Sequence, residues 1–372
     1  MFDLQARTIL LSVSGSHAYG TNRPDSDVDV KGVCVAPRRY REGFLERFEQ
    51  AEKAPQMAPF IPFLREPLRG MAERDGLDGT VFGIDKFFKL AADCNPNVIE
   101  ILWTVPEDRL ICTPEGARII EARTLFLSRK ALYTFRGYAI SQLKRIETHR
   151  RWLLNPPSAP PTRGEFGLPE RTVIPADQLL AAQATVQKRV DSWEIDFGTL
   201  DDAEKIYLQE QLEATLLDWK MGSDEKYRAA GRLLGYEDNF LDLLDRERHY
   251  HAAQRNWTQY QEWKAKRNPA RAAMEAKFGY DAKHALHLTR LMRMCREILS
   301  RGEVLIRRPD AEELRGLLQG STPYEDLIAW AKAEDVALVE LAKSSPLPRA
   351  PDRVALDALC QEITRGMERL DG

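Results

Sequence analysis

Two aspartates one residue apart, Asp27 and Asp29, are the side chains of this sequence whose type and spacing best suit chemistry. They follow an apolar run and a Gly15-Ser16 turn. If residues 27–35 form a strand, the alternation of side chains places both carboxylates on one face, roughly 7 Å apart at their roots. Two ionised carboxylates at that spacing repel each other unless a cation lies between them. The pair therefore predicts a site for a divalent metal.

Magnesium is the natural ion for this arrangement. It binds through a few carboxylates, water and substrate phosphates, and two such ions about 3.5–4 Å apart can hold an in-line displacement. Glycine in the Gly15-Ser16 turn lets a phosphate approach the backbone, and the amides and hydroxyl beyond the strand can bind anionic oxygens. The stretch predicts phosphoryl chemistry in which the protein positions its substrate and neutralises charge.

Short strands and helices must hold these residues. Asp85 is placed to cap a helix over 86–94, and Asn95 and Thr113, each followed by proline, predict two further helix starts. Residues 36–77 show little periodicity, so we expect an irregular insertion there rather than a core element. Runs of β-branched and apolar residues bounded by turn residues predict strands at 8–13, 27–35, 77–84 and 109–113.

Three longer strings carry a family resemblance: GSHAYGTNRPDSDVDVKGV, KFFKLAADCNPNVIEILW and GYDAKHALHLTRLMRM. The first resembles the Gly-Ser and Asp-x-Asp signature of the DNA polymerase β-like nucleotidyltransferase superfamily. Together the three resemble its RNA-repair-associated branch, often called RlaP or YcgL-like. The resemblance implies an α+β protein, in which a mixed-sheet nucleotidyltransferase core is followed by a mainly helical domain.

The resemblance also implies a third carboxylate on a neighbouring strand, acting as a metal ligand or as a general base. Asp78 matches that position by its distance from the KFFKL string, while Asp75 and Asp85 are nearby competitors. The implied catalytic and metal-binding set is therefore Asp27, Asp29 and Asp78. This set would hold two Mg²⁺ ions, with Mn²⁺ as the alternative ion.

The KHALHLTRLMR string lies on a predicted helix and carries a second group of polar residues. Spacings of three and four put Lys283, His287 and Arg290 on one face of that helix. On spacing alone this face would be a solvent-exposed charged stripe. The matching string implies instead that the three residues join Gly15 and Ser16 in binding the nucleotide.

The length of the chain suits two domains. We expect a catalytic domain over 1–127 and a helical domain over 128–372, with the active site in the cleft between them. A Pro-rich loop interrupts the helical domain at about 155–172. Helical periodicity then resumes at 177–191, 201–220 and 223–265.

Composition narrows the class of protein. There is no run of about 18 apolar residues and no signal-peptide pattern, so we expect a cytoplasmic protein without a membrane span. The five cysteines are scattered without a CxxC spacing, and they suggest neither a disulfide framework nor a zinc site. A net charge of -3 with 54 Lys and Arg neither proves nor excludes RNA binding, and the oligomeric state stays open.

The leading functional prediction is a transferase that moves a nucleoside monophosphate from a triphosphate such as ATP to a hydroxyl, releasing pyrophosphate. An RNA end, tRNA-like, is the acceptor that the resemblance alone implies. Two alternatives stay open. One is nucleotidylation of a protein hydroxyl, which relatives of this superfamily carry out with the same metal chemistry. The other is a non-catalytic nucleotide- or RNA-binding partner, which the intact carboxylates and Gly-Ser turn disfavour.

Overall fold

The computed structural model describes residues 2–172, 174–191, 223–267 and 269–369. Five strands form one mixed sheet, in which β2 pairs antiparallel with β1 and parallel with β4. The sheet order is β3-β4-β2-β1-β5. The strands are β1 Thr8–Ser14, β2 Asp29–Cys34, β3 Gln50–Ala51, β4 Asp78–Gly83 and β5 Arg109–Cys112. The four predicted strands are confirmed, although β2 begins two residues later than expected.

Helices account for most of the remaining described chain. Those of the first part are α1 Gly15–Tyr19, α2 Arg38–Glu42, α3 Ala54–Met57, α4 Leu68–Asp75, α5 Ile84–Ala92, α6 Pro96–Ile99, α7 Pro114–Glu121 and α8 Ala131–Leu154. Those that follow are α9 Ala176–Asp191, α10 Ser223–Leu233, α11 Asp238–Lys266, α12 Pro269–Phe278, α13 Ala282–Arg301, α14 Ala311–Leu318, α15 Tyr324–Lys343 and α16 Arg353–Arg369. None of the helices in the described ranges is long and apolar enough to cross a membrane.

One face of the sheet packs against helices from both ends of the chain. Ile9, Val33 and Phe82 come from three different strands, and they share a buried cluster with Phe87 of α5 and Leu288 of α13. Burying an apolar side chain of this size contributes about 1.5–3 kcal/mol. A mixed sheet with helices, followed by a mainly helical region, confirms the expected α+β class.

The opposite face of the sheet is covered by the insertion between β2 and β4. Met57, Phe60 and Leu64 are fully buried there, in one cluster with Val30 of β2 and with Val28 just before that strand. The expectation that residues 36–77 contribute no core element is therefore wrong. Their apolar residues are spread over short helices and a 3₁₀ turn, so no single period reveals them.

The helical C-terminal region shares its core with the sheet. Helix α13 packs along α8, and both contribute side chains to the cluster that the sheet begins. The structure divides into two compact units, residues 1–154 with 269–372, and residues 155–268. The boundary expected at residue 127 falls inside the first unit, because α8 and α13 complete one core with the sheet.

The second unit has a small core of its own. Helices α9, α10 and α11 enclose Leu179, Val186, Tyr227 and Leu241. The Pro-rich stretch at 155–172 holds no regular element apart from a short 3₁₀ turn at Gly164–Phe166. The single helix expected over 223–265 is broken between α10 and α11, and the helix expected at 201–220 lies outside the described residues.

Three predicted helix caps have different outcomes. Asn95 and Thr113 do cap α6 and α7, since each side chain accepts a hydrogen bond from a backbone N–H of the first turn. The cap expected at Asp85 is wrong, because α5 begins at Ile84, two residues before the predicted start, and Gly83 occupies the capping position. Asp85 lies instead in the first turn, where a carboxylate still interacts favourably with the helix dipole.

Candidate active site

The Gly15 turn brings the end of β1 against Asp29 of β2. Gly15 has a φ of +64°, in the left-handed region that favours glycine. A Cβ at this position would lie 2.4 Å from Oδ2 of Asp29. Glycine is therefore required both for the backbone conformation and for the close approach of the Asp29 carboxylate.

The register of the strands aligns polar side chains across the sheet. Ser14 of β1 pairs with Asp29, and Asp29 pairs with Asp78 of β4. Neighbouring strands lie roughly 4.8 Å apart, and residues paired in this way share a face. Asp29 and Asp78 therefore stand side by side on parallel strands, next to the Gly-Ser turn.

Asp27 has a different position from its neighbour Asp29. It lies just before β2 and is exposed, so the strand alternation that predicted a shared face does not apply to it. Its charge still raises the pKa of Asp29, which shows that the two carboxylates interact. The three predicted aspartates thus surround the same end of β2.

Asp29 is the electrostatic centre of this arrangement. Burial raises the pKa of its carboxyl, and the charges of Asp78 and Asp27 raise the pKa further. Lys31 and Lys283 act in the opposite direction, and the net result is a raised pKa. The site therefore holds an excess of negative charge that a bound cation would relieve.

Lys31 is a further charged residue that the sequence prediction left out of the site. It pairs with Ser12 on one side and Thr80 on the other, one row behind Asp29. Burial lowers the pKa of its ammonium, whereas the negative charge of Glu100 raises that pKa. The alternation of β2 put Lys31 on the Asp29 face, and that was the signal by which it could have been found.

An open cavity of about 610 Å³ lies over these residues. It is lined by Ser14, Gly15, Asp29, Val30, Lys31, Glu52, Lys53, Asp78, Gly79 and Thr80. Glu52 and Lys53 come from the insertion and were not predicted. The hydroxyl of Ser14 is buried and makes no hydrogen bond with the described residues. The cavity therefore offers charged side chains and an unused hydroxyl to a ligand.

The donor set fits magnesium. This ion takes hard oxygen ligands and keeps several positions for water and phosphate. Asp29 and Asp78 supply such oxygens at the edge of the open cavity, and Asp27 lies exposed just before β2, so the carboxylates do not form a closed cage. Among the described residues, the His, Cys, Asp or Glu side chains that bring three ligand atoms within 4.8 Å of one another are not these aspartates. They form a separate group near the start of α13. The carboxylate site therefore suits an ion whose coordination is completed by substrate and water.

The three predicted nucleotide-binding residues of α13 take different positions. Lys283 is exposed, and its charge lowers the pKa of Asp29, so its ammonium acts on the carboxylate site. His287 is partly buried and Arg290 is 6% exposed, and neither lines the cavity. Lys283 thus acts on Asp29 through its charge, but like His287 and Arg290 it does not line the cavity.

Arg290 forms a buried ion pair with Glu100. Its Nη1 lies 2.7 Å from Oε1 of Glu100, and its guanidinium lies over the Tyr19 ring, 4.0 Å from the ring centre. The Tyr19 hydroxyl donates a hydrogen bond to the other Glu100 oxygen. Because Tyr19 ends the short helix that Gly15 begins, this group ties α13 to the Gly-Ser turn. An acid within the apolar string NVIEILW was the sequence signal for a buried charge.

The C-terminal segment also holds α1 through its backbone. Arg307 donates to the carbonyl of His17 at 3.2 Å, and Arg315 donates to the carbonyl of Gly20 at 2.7 Å. The backbone N–H of Arg308 donates to the Tyr19 carbonyl at 3.1 Å. These contacts join residues almost 300 positions apart, and no local pattern in the sequence indicates them.

The sheet and the Gly-Ser turn lie in a segment that matches a known family. Residues 3–154 match the family described as "RlaP: RNA repair pathway DNA polymerase beta family", which confirms the resemblance for this segment. A protein of Enterobacteria phage T4, described as "Uncharacterized 38.9 kDa protein in nrdC-mobD intergenic region", is 30% identical over 107 residues. That stretch covers 27% of this chain and 27% of the phage protein. No solved structure matches the chain.

Proposed function

We propose that this chain is a metal-dependent nucleotidyltransferase that moves a nucleoside monophosphate from a triphosphate to a hydroxyl, releasing pyrophosphate. The observation that carries the proposal is the pairing of Asp29 with Asp78 beside the Gly15 turn, at the edge of an open cavity. The family match of residues 3–154 supports the same class. Phosphoryl transfer needs mainly positioning and charge neutralisation, which such a site can supply.

The three aspartates and the Gly-Ser turn each have a definite role in this proposal. Asp27, Asp29 and Asp78 would hold two Mg²⁺ ions, with Mn²⁺ as a substitute. Bound there, the ions would neutralise the triphosphate and favour ionisation of the attacking hydroxyl. The backbone amides and the hydroxyl of the Gly15-Ser16 turn would bind phosphate oxygens as hydrogen-bond donors.

An RNA end is the acceptor that we propose, because the matching family is described by its part in RNA repair. The test incubates the full chain with each α-labelled ribonucleoside triphosphate, starting with ATP, together with Mg²⁺ and an RNA that has a free 3′ hydroxyl. A labelled product that RNase destroys supports the proposal. A labelled protein band that survives RNase would indicate that the chain nucleotidylates a protein hydroxyl instead. Tight nucleotide binding without any labelled product would contradict an enzymatic function.

Asp78→Asn should lower the rate of transfer far more than it weakens nucleotide binding. A general base or a second-metal ligand acts mainly on the attacking hydroxyl in the transition state, so its loss lowers kcat with little change in KM. We expect kcat to fall by roughly 10²–10⁴-fold, the range for general acid–base catalysis. Steady-state kinetics over a range of triphosphate concentrations measure both parameters.

Asp75→Asn and Asp85→Asn are the matched controls for this prediction. Asp75 pairs with Arg74 at the surface, and Asp85 lies in the first turn of α5. Neither residue lines the cavity, so both variants should keep nearly the wild-type kcat. If Asp85 proves essential and Asp78 dispensable, the third carboxylate has been assigned to the wrong residue.

Lys283→Ala should weaken triphosphate binding by roughly 1.5–3 kcal/mol, the range for hydrogen bonds to charged groups. The positive charge of Lys283 already acts on Asp29. A triphosphate bound at the carboxylates would place its anionic oxygens where the same ammonium attracts them. Equilibrium binding of a non-hydrolysable triphosphate measures the change. Lys277→Ala, an exposed lysine on the preceding helix α12, is the matched control and should bind as the wild type does.

A different result would indicate that Lys283 binds the RNA acceptor and not the triphosphate. If its ammonium contacts an RNA phosphate, triphosphate affinity stays unchanged and RNA affinity falls. The slope of log affinity against log salt concentration would then decrease by about 1. If neither affinity changes, this face of α13 does not belong to the site.

A further inference from the structure

A second cluster of ligand-type side chains lies where α8 meets the start of α13. His149 of α8, Asp281 at the N-cap of α13 and His284 in its first turn have ligand atoms within 4.8 Å of one another. Within the described part of the chain, this is the one group of three His, Cys, Asp or Glu residues with that spacing. None of the three residues belongs to the carboxylate site described above.

The helix cap fixes the orientation of the Asp281 carboxylate. Oδ1 accepts hydrogen bonds from the backbone N–H groups of Lys283 and His284, at 3.0 and 3.1 Å. Oδ2 lies 3.5 Å from Nε2 of His284, and the Asp281 side chain is only 2% exposed. One oxygen is therefore used by the cap, and the other is held toward the imidazole.

Gln142 selects the tautomer of His284. Nδ1 of His284 lies 2.7 Å from Oε1 of Gln142, and an amide oxygen can only accept a hydrogen bond. Nδ1 therefore carries a proton, and in the neutral ring Nε2 keeps its lone pair toward Oδ2 of Asp281. In that neutral state two acceptors would face each other, an arrangement that either a proton or a metal ion between them relieves. A partner such as Gln142 on the other ring nitrogen is also the usual support of a metal-bound histidine.

The 3.5 Å between Nε2 of His284 and Oδ2 of Asp281 is the spacing of two ligands on one transition-metal ion. Zinc binds nitrogen and oxygen at roughly 2.0–2.2 Å, so neighbouring ligands of a tetrahedral ion lie about 3.3–3.5 Å apart. His149 supplies a third ligand from the other helix, and its ring centre lies 5.6 Å from that of His284. Two imidazoles and one carboxylate are a known zinc ligand set, whereas magnesium prefers oxygen ligands throughout.

We propose that His149, Asp281 and His284 bind one zinc ion, which joins α8 to the first turn of α13. Lys283 lies in the chain between two of these ligands, so the ion would also hold the backbone of Lys283, whose charge acts on Asp29. That consequence rests on the proposed function, but the zinc site itself does not. The competing explanation is an imidazolium of His284 paired with Asp281 in the absence of any metal.

The test titrates Zn²⁺ into the full chain after removal of metals with a chelator and dialysis into excess Mg²⁺. The magnesium competes at the oxygen-only carboxylate site. We expect one zinc ion per chain and a rise in Tm, because an ion that binds only the folded state stabilises it. Co²⁺ in place of Zn²⁺ should give the intense visible absorption of a four-coordinate site with nitrogen ligands.

Substitutions of the ligands should remove this binding. Asp281→Asn is the most informative variant, because asparagine is also a good N-cap and helix α13 should stay intact. His149→Gln and His284→Gln remove the nitrogen ligands. Each of the three should weaken zinc binding by at least about 100-fold, since even outer partners such as Gln142 contribute about 10–100-fold.

Two further variants serve as controls. His287→Gln removes a histidine one turn further along α13, outside the three ligands, and should bind zinc as the wild type does. Asp29→Asn alters the carboxylate site and should also leave zinc binding unchanged. Absence of stoichiometric zinc, or binding that persists in Asp281→Asn and His149→Gln, would overturn the proposal in favour of the ion pair. Because neither readout uses transfer activity, this result is independent of the proposed function.

Discussion

Asp29→Asn should abolish nucleotidyl transfer, with a fall in rate on the order of 10³-fold or more, while the protein stays folded. A metal ion at this site supplies several kcal/mol of charge stabilisation, and each 1.36 kcal/mol corresponds to about a tenfold change in rate. Asparagine has nearly the shape of aspartate, so the close contact with Gly15 is preserved. Single-turnover transfer of a labelled nucleotide at saturating Mg²⁺ measures the loss.

The same variant should be at least as stable as the wild type when a chelator is present. Burial, together with Asp78 and Asp27, raises the pKa of Asp29, so its charged form is less favourable in the folded state than in the unfolded chain. Above this raised pKa the wild type carries an unfavourable charge that the variant lacks. As the pH falls from the raised pKa toward the ordinary pKa of aspartate in the unfolded chain, folded Asp29 takes up a proton, and below that range the difference disappears. Melting curves of both proteins at neutral and acidic pH test this.

Asp25→Asn is the matched control, because Asp25 lies in the same turn but is 73% exposed and pairs with Arg23 at the surface. It should retain the wild-type rate. Near-normal transfer by Asp29→Asn would contradict the assignment of Asp29 as a metal ligand. An equal loss in both variants would mean that the turn, rather than metal binding, had been disturbed.

Arg290→Met should lower the free energy of unfolding by roughly 3–5 kcal/mol, the range for breaking a buried ion pair. Glu100 is 5% exposed, and without the guanidinium its carboxylate would lose its ion pair, keeping the hydrogen bond from Tyr19 and the attraction of the Lys31 ammonium. A buried carboxylate that loses its paired cation is strongly unfavourable. Urea unfolding of the purified variant measures the change in free energy.

A second substitution separates the ion pair from simple loss of packing. Adding Glu100→Gln to Arg290→Met should recover much of the lost stability, because the unpaired charge is removed, and the two single variants complete a double-mutant cycle. Arg296→Met, on the same helix, is the matched control. Its pair with Glu334 is 45% exposed on the arginine side, so we expect a loss under about 1 kcal/mol. If Arg290→Met loses triphosphate affinity and keeps its stability, the guanidinium binds the nucleotide after all.

Local sequence patterns were sufficient for the elements around the site. The strands that carry Asp29 and Asp78 follow from β-branched runs bounded by turn residues. Asn95 and Thr113 cap their helices through hydrogen bonds that span only two or three residues, so their effect is visible in a short window. The insertion at residues 36–77 was misread because its buried residues are distributed over several short elements. Hydrophobic periodicity can be recognised only along a longer helix or strand.

The helix α13 shows the limit of such patterns. Spacings of three and four correctly place Lys283 and Arg290 on one helix, but they do not determine what each part of its surface packs against. Lys283 reaches the electrostatic field of Asp29, whereas Arg290, two turns later, is buried against Glu100. A charged residue on a helix face can serve either purpose, and only its neighbours in space distinguish them.

The sequence by itself determined the strands of the core and the carboxylates beside the Gly-Ser turn, because these depend on residues close together in the chain, and the family resemblance of its motifs implied the α+β class. Only the tertiary structure decided that the C-terminal helices complete the core of the sheet, that Arg290 pairs with Glu100 at a separation of 190 residues, and that His149 meets Asp281 and His284. Such contacts depend on the packing of distant segments against one another. Their partners cannot be recognised from local spacing, since each residue alone is compatible with an exposed position.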